Sequence, residues 1–315
     1  METKFQRSQK GQQIPELSED EARSYLESLL WPEGPVCPHC ESKDTYRMKG
    51  ASIRAGLLRC RACEKKFTVT VGTIFEDTHV PLAKWVKAFH LMCSSKKGIS
   101  ALQLQRNLGL GSYKTAWHMA HRVRLAMRCE PLARMLRGTV EVDEAYIGGK
   151  PRHGTGPHKR GRGTAKAPVF VLIERGGKAH NRPVDRVDGA TLKTAIREMV
   201  HRSATIYTDE YGAYTGIGQH FAGGHHAVKH ALGEYSRDGI NTNTAESYFA
   251  LLKRGIHGTF HRVSRRHLHR YCDEFSFRWN ARQIPDAERR DIALGQTVGK
   301  RLTLHRTLSQ DATPT

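Results

Sequence analysis

Thr139-Val-Glu-Val-Asp-Glu-Ala-Tyr-Ile147 is the stretch that decides the fold. Apolar and polar residues alternate along it, the period of a β-strand with one face buried. Val169-Phe-Val-Leu-Ile173 follows as a short apolar run, the pattern of a strand covered on both faces. Residues 182–187 read as a third strand. Ala204-Thr-Ile-Tyr-Thr208 reads as a fourth, ending at Asp209, and residues 226–230 as a fifth. Helices are expected over 191–201, 245–254 and 266–282. Strands followed by late helices imply an α/β domain over residues 138–285.

Acidic residues fall at telling places in that order. Asp143 is in the first strand, Asp209 just past the fourth, and Glu246 on a helix beginning near Asn243. That is the layout of an RNase H-like, mixed-sheet nucleotidyl-transfer domain. In-line attack on a phosphodiester is served by two divalent cations about 3.5–4 Å apart. Mg²⁺, a hard cation, prefers carboxylate oxygen, and Mn²⁺ is the usual substitute. Each acid also has an ordinary reading. Glu141, Asp143 and Glu144 suit the polar face of an edge strand. Asp209-Glu-Tyr-Gly suits a turn. Asn243-Thr-Ala-Glu246 suits a capping box.

Upstream the texture differs. Residues 1–30 read as a polar lead-in and one helix, with Ser18 as its N-cap. Residues 31–76 hold Cys37-Pro-His-Cys40 and, nineteen residues on, Cys60-Arg-Ala-Cys63. Two such knuckles present four thiolates to one Zn²⁺ and close a tetrahedron, the signature of a structural zinc ribbon. Free thiols or a redox dithiol are the alternatives. Residues 79–130 read as helical, and within them residues 99–124 give helix, glycine turn, helix, with Ser100 and Ser112 as caps. Lys114, Arg122 and Arg124 make the second helix basic, like the recognition helix of a helix-turn-helix. A helical hairpin with a solvated charged face has the same pattern.

The whole chain of 315 residues carries 51 Lys and Arg against 31 Asp and Glu, a formal charge of +20. A surplus of that size implies a polyanionic partner, of which nucleic acid is the usual one. Cations concentrate in two acid-poor runs. Lys150, Lys159, Arg160 and Arg162 lie in the first, and Lys253, Arg254, Arg265 and Arg266 in the second. Both suit phosphate contacts, or a solvated loop. No run approaches the roughly 18 apolar residues of a membrane span. Seven cysteines, four of them in tight pairs, argue against a secreted disulfide framework and for a cytoplasmic metal site. Residues 286–315 read as a C-terminal tail.

Glu141-Val-Asp-Glu-Ala-Tyr-Ile-Gly-Gly149, Tyr207-Thr-Asp-Glu-Tyr-Gly-Ala-Tyr214 and the block from His230 to Ser247 resemble blocks of a bacterial transposase family. It is the insertion-sequence fifteen-ninety-five family, which joins an N-terminal zinc ribbon to a DDE-type transposase domain. The resemblance spans roughly residues 20–285. It implies Asp143 and Asp209 as metal carboxylates, with Glu246 or Asn243 as the third catalytic residue, and Glu246 the better Mg²⁺ ligand. Lys253, seven residues on, is placed to hold a phosphate, or is a plain lysine near a helix end. The chain departs from the pattern at Tyr248-Phe-Ala, where relatives carry Trp, and at Asn241, where His is expected. A transposase of this kind cuts element ends, joins them to target DNA and works as an oligomer on DNA. A non-catalytic DNA-binding regulator and an RNase H-like structure-selective nuclease are the rival functions.

Overall fold

The computed structural model describes residues 16–128, 134–148, 164, 166–228 and 239–308. The chain divides into two compact units. One comprises residues up to 94, with 104–126 and 285–302, and the other residues 95–103, 127–284 and those from 303 onward.

The first unit opens with α1 (Glu19–Leu30), capped by Ser18 and Glu21 in a reciprocal capping box, as the sequence predicts. A three-stranded antiparallel ribbon follows, β1 (Thr45–Arg47), β2 (Leu58–Cys60) and β3 (Lys66–Phe67). Its small core is Cys37, Leu58, Cys60 and Phe67, with the Trp31 ring set edge-on to Phe67. A core that small needs a further staple, which the cysteines supply.

Three helices come next, α2 (Leu82–Ser94), α3 (Ala101–Leu108) and α4 (Tyr113–Ala126). Leu82, Trp85, Val86, Phe89 and Met92 line the buried side of α2. The α2 N-terminus borrows its cap from α1, with the Leu82 and Ala83 N–H groups donating to the Glu19 carboxylate. Ser100 accepts from the Gln103 N–H and Ser112 from the Lys114 N–H, so both hydroxyls cap where expected.

The second unit is built on a five-stranded sheet. Its strands are β4 (Thr139–Ile147), β5 (Ala167–Glu174), β6 (Ala179–Pro183), β7 (Thr205–Asp209) and β8 (His225–Val228). Spatial order is β6-β5-β4-β7-β8. The β4–β5–β6 pairs are antiparallel and the β4–β7–β8 pairs parallel. This mixed sheet is the RNase H-like arrangement expected from the acid spacing.

α5 (Gly189–Met199) packs on one face through Leu192, Ala195 and Ile196, meeting Val140, Val142 and Ile206. α6 (Asn243–Gly255) and α7 (Leu268–Asn280) pack on the other, where Ala245, Tyr248, Phe249, Leu252 and Phe275 meet Ala145, Val169 and Val171. Those α6 residues recur three and four apart, so one stripe is buried and Glu246 and Lys253 stay exposed.

Two expectations are corrected. The third strand is β6, at 179–183 rather than 182–187, because Ala179 to Pro183 pair with Ile173 to Val169. Residues 285–302 are no tail. They form α8 (Asp286–Gly295), which packs on α1 and α2, and then a bridge between Val298 and Thr73. A last short helix, α9 (Leu304–Leu308), belongs to the second unit. On α7, Glu274 and Arg278 are buried and paired with each other.

Candidate active site and zinc ribbon

β4 and β7 place the first two acids. Their parallel register pairs Thr139 with Thr205 and Glu141 with Tyr207. Two residues further along both strands, Asp143 and Asp209 stand at the same level. Val142 and Ile206 point to the α5 side, so Asp143 and Asp209 point to the α6 side. Asp209 also closes an Asx turn, its Oδ1 accepting from the Tyr211 N–H at 3.1 Å. The turn reading and the ligand reading do not exclude one another, because a carboxylate has two oxygens and the turn uses Oδ1.

α6 brings the third acid. Asn243 and Glu246 lie in its exposed first turn. The anticipated capping box is absent. The N-cap residue is Thr242, which makes no side-chain cap bond. The cap comes from β4 instead. Glu141 Oε2 accepts from the Thr244 and Ala245 N–H groups at 2.8 and 3.0 Å, and Oε1 from the Thr244 hydroxyl at 2.9 Å. Glu141 is fully buried, so it is not the solvated edge-strand acid its sequence neighbours suggested.

Electrostatics show which groups are neighbours. Burial lifts the Asp143 carboxyl from 3.8 to about 8, reinforced by the charges of Glu144, Asp209 and Glu246. A hydrogen bond from the Glu144 N–H, 2.7 Å from Asp143 Oδ1, works in the opposite direction. Glu144 points to the other face, where its Oε2 accepts from the buried Tyr214 hydroxyl at 2.8 Å. Asp143, Asp209 and Glu246 are hard oxygen donors, the kind that suits a divalent cation of the Mg²⁺ class, but among the described residues only the four ribbon thiols have their ligand atoms close enough together to share one ion.

Lys253 is exposed on α6 with its ammonium 5.9 Å from the Phe249 ring. Arg254, also exposed, folds back on the Ala250 carbonyl. Arg265 reaches Asp185 at 3.4 Å, and Arg266 donates to the Leu308 carbonyl at 2.8 Å. Lys150, Lys159, Arg160 and Arg162 lie outside the described residues.

In the ribbon, Cys37, Cys40, Cys60 and Cys63 bring their Sγ atoms within 4.8 Å of one another. Each knuckle ends in a left-handed residue, Glu41 (φ 61°) and Glu64 (φ 56°), which turns the chain back under the thiols. The Cys63 N–H pulls the Cys60 thiol down to about 7, while Cys40, against the opposing Ser42 N–H, is pushed up to about 12 by hydrogen bonds with the other thiols, so the four thiols share protons that a zinc ion would displace. Four thiolates leave no open coordination position, so the site is structural. His39 is exposed and adds nothing to a complete set.

The basic face assigned to α4 is corrected. Lys114 is exposed, but Arg122 and Arg124 are buried. Arg122 Nε donates to the Leu302 carbonyl at 2.9 Å. The cover is supplied by the 285–302 segment, whose Lys300 also donates to the Ala126 carbonyl. Both arginines therefore leave the set of DNA-contacting candidates.

The profile of the ISXO2-like transposase domain matches residues 135–280, and that of the transposase zinc-ribbon domain matches residues 17–66. A Halobacterium salinarum protein described as an uncharacterized protein in transposable element ISH50 is 30% identical over 285 residues, covering 86% of this chain and 94% of its own. The chain belongs to the insertion-sequence fifteen-ninety-five family of transposases. Among solved structures, that of a pre-cleavage Mos1 transpososome is similar at 13% identity and a TM-score of 0.26, over 69% of this chain and 80% of the other. At that score the likeness carries no weight. The ribbon of this transposase-family chain thus has both its thiol cluster and its family match. Among the described residues, no helix is long and apolar enough to cross a membrane.

Proposed function

We propose that this chain is a DDE-type transposase that cuts DNA at insertion-sequence ends and joins the freed 3′ ends to target DNA. One observation carries the reading. A half-buried carboxylate on the first strand, Asp143, lies level with Asp209 on the parallel neighbour and feels the charge of Glu246 on α6. Unrelated strand, turn and cap acids have no reason to share one side of the sheet.

Asp143, Asp209 and Glu246 would hold two Mg²⁺ ions, with Mn²⁺ as substitute. When bound, such a pair acidifies the attacking water or 3′-hydroxyl and offsets charge on the leaving oxygen. Asn243, on the same helical turn as Glu246, adds a neutral oxygen beside the reacting phosphate. Lys253, two turns along, neutralises a flanking phosphate of the bound strand. Lys114, Arg254, Arg265 and Arg266, with the 150–162 run, extend that contact along double-stranded DNA. The zinc ribbon and the α3–α4 segment would hold the element ends in a cytoplasmic homo-oligomer that pairs two ends. The segments assigned to these tasks are residues 31–76, 79–130 and 138–285.

The test is a Mg²⁺-dependent cleavage and strand-transfer assay on the element's own ends, with wild type beside Asp143→Ala and Asp209→Ala. Joined product from wild type alone supports the reading. Cleavage without joining indicates a nuclease, and zinc-dependent binding with no cleavage indicates a regulator.

A further inference from the structure

The geometry points to Glu141 and Arg175 as the positioning pair that sets the spacing of the three acids, and so the affinity of the site for its divalent cations. The inference rests on the reading of Asp143, Asp209 and Glu246 as ligands.

Glu141 lies on β4 two residues before Asp143, on the same face of the strand. Its carboxylate binds the two backbone N–H groups immediately preceding Glu246 on α6. It thus joins the strand that carries the first acid to the helical turn that carries the third. α6 has no side-chain cap of its own, so this bond fixes its first turn.

Arg175 follows β5 and completes the tie. Its Nε donates to Glu141 Oε1 at 2.6 Å. Nη1 donates to the Gly239 carbonyl at 2.9 Å, and Nη2 to the Asn241 carbonyl and to Asn241 Oδ1, both at 2.8 Å. The guanidinium also lies over the Tyr207 ring, 4.8 Å from its centre, on the strand that ends in Asp209. One side chain therefore touches β4, β7 and the lead-in to α6, the three segments that carry the acids. Asn241, where the family resemblance leads one to expect His, is part of the same bracket.

Neither residue belongs to the proposed ligand set, and neither is replaceable by a close homologue. Gln at position 141 would put an amide N–H₂ where an oxygen accepts from Thr244 and Arg175. Lys at position 175 would keep the charge and lose the planar fork that serves several acceptors at once. Partners that orient metal-binding groups govern affinity at a distance of one bond, and their loss costs about 10–100-fold.

The experiment uses the full-length, zinc-loaded protein as wild type, Glu141→Gln, Arg175→Lys and Asp143→Asn. Mn²⁺ binding without DNA is read by electron paramagnetic resonance. The Mg²⁺ midpoint of end cleavage is read alongside it, with a thermal melt on each variant. The expected result is Mn²⁺ binding and a Mg²⁺ midpoint weakened about tenfold or more in both positioning variants. Cleavage is largely recovered at saturating metal. A merely architectural role would lower the melt and the rate at every metal concentration and leave the midpoints in place, which would overturn the inference. If Glu141→Gln does not fold, Arg175→Lys decides by the same criteria. Wild-type midpoints in the positioning variants, with binding and cleavage abolished by Asp143→Asn, would overturn this inference and leave the transposase reading standing. A wild type that neither cleaves nor loses Mn²⁺ binding on Asp143→Asn would overturn both.

Discussion

Replacing Asp143 by Asn should stabilise the metal-free site, and the gain should grow with pH. The carboxyl is raised from 3.8 to about 8 by burial and by the charges of Glu144, Asp209 and Glu246. A raised value means the folded chain holds a proton that the unfolded chain has already released. Stability from this group is therefore fully present below pH 4 and is lost as pH rises towards 8. At about 1.4 kcal/mol per tenfold change in proton affinity, the loss reaches at most about 5 kcal/mol by pH 8. Asn cannot ionise, so the variant escapes it. The difference in unfolding free energy between Asp143→Asn and wild type should be near zero at pH 4 and reach several kcal/mol at pH 8. The assay is urea unfolding at a series of pH values, with the ribbon zinc retained and other divalent cations removed. Mg²⁺ should narrow the gap, because a cation that binds only the folded wild type adds about 2.7 kcal/mol at a hundred times its dissociation constant. A difference that is flat between pH 4 and 8, or untouched by Mg²⁺, would refute the crowded-carboxylate account.

Four further outcomes are expected. Gly255→Ala gains about 1 kcal/mol of helix propensity, but its new Cβ would fall 2.2 Å from Phe275 Cζ and 2.9 Å from the Lys97 carbonyl oxygen. Overpacking of that kind costs about 1–3 kcal/mol or more, so the melting temperature should fall, and an unchanged or higher one counts against the packing described. Lys114→Ala should weaken DNA binding, lower its salt dependence by about one phosphate contact and leave the melt unchanged. Arg122→Ala should do the reverse and lower the melt, because it leaves the buried Leu302 carbonyl without its donor. Cys60→Ser should abolish stoichiometric zinc and the cooperative unfolding of the ribbon, measured by metal analysis and circular dichroism, with the sheet domain's signal retained.

Local patterns in the sequence account for much of this protein. Alternation over 139–147 and the apolar run at 169–173 are properties of a few adjacent residues, so β4 and β5 are legible there. The same holds for the paired cysteine knuckles and for the caps at Ser18, Ser100 and Ser112. The acids Asp143, Asp209 and Glu246 are nameable from their places in the strand order, and the family resemblance rests on those same blocks.

What tertiary structure alone decided depends on residues far apart in the chain. Glu141 looks like any polar residue of a strand until α6, about a hundred residues on, sets its bare N-terminus against it. Arg175 is one arginine among many in the sequence, and its role depends on meeting Gly239, Asn241 and Tyr207. Arg122 and Arg124 look like a recognition face until residues 285–302 fold back over α4. A charge declares its type in the sequence, but whether it faces water, a helix end or another charge is settled by whichever distant segment packs against it.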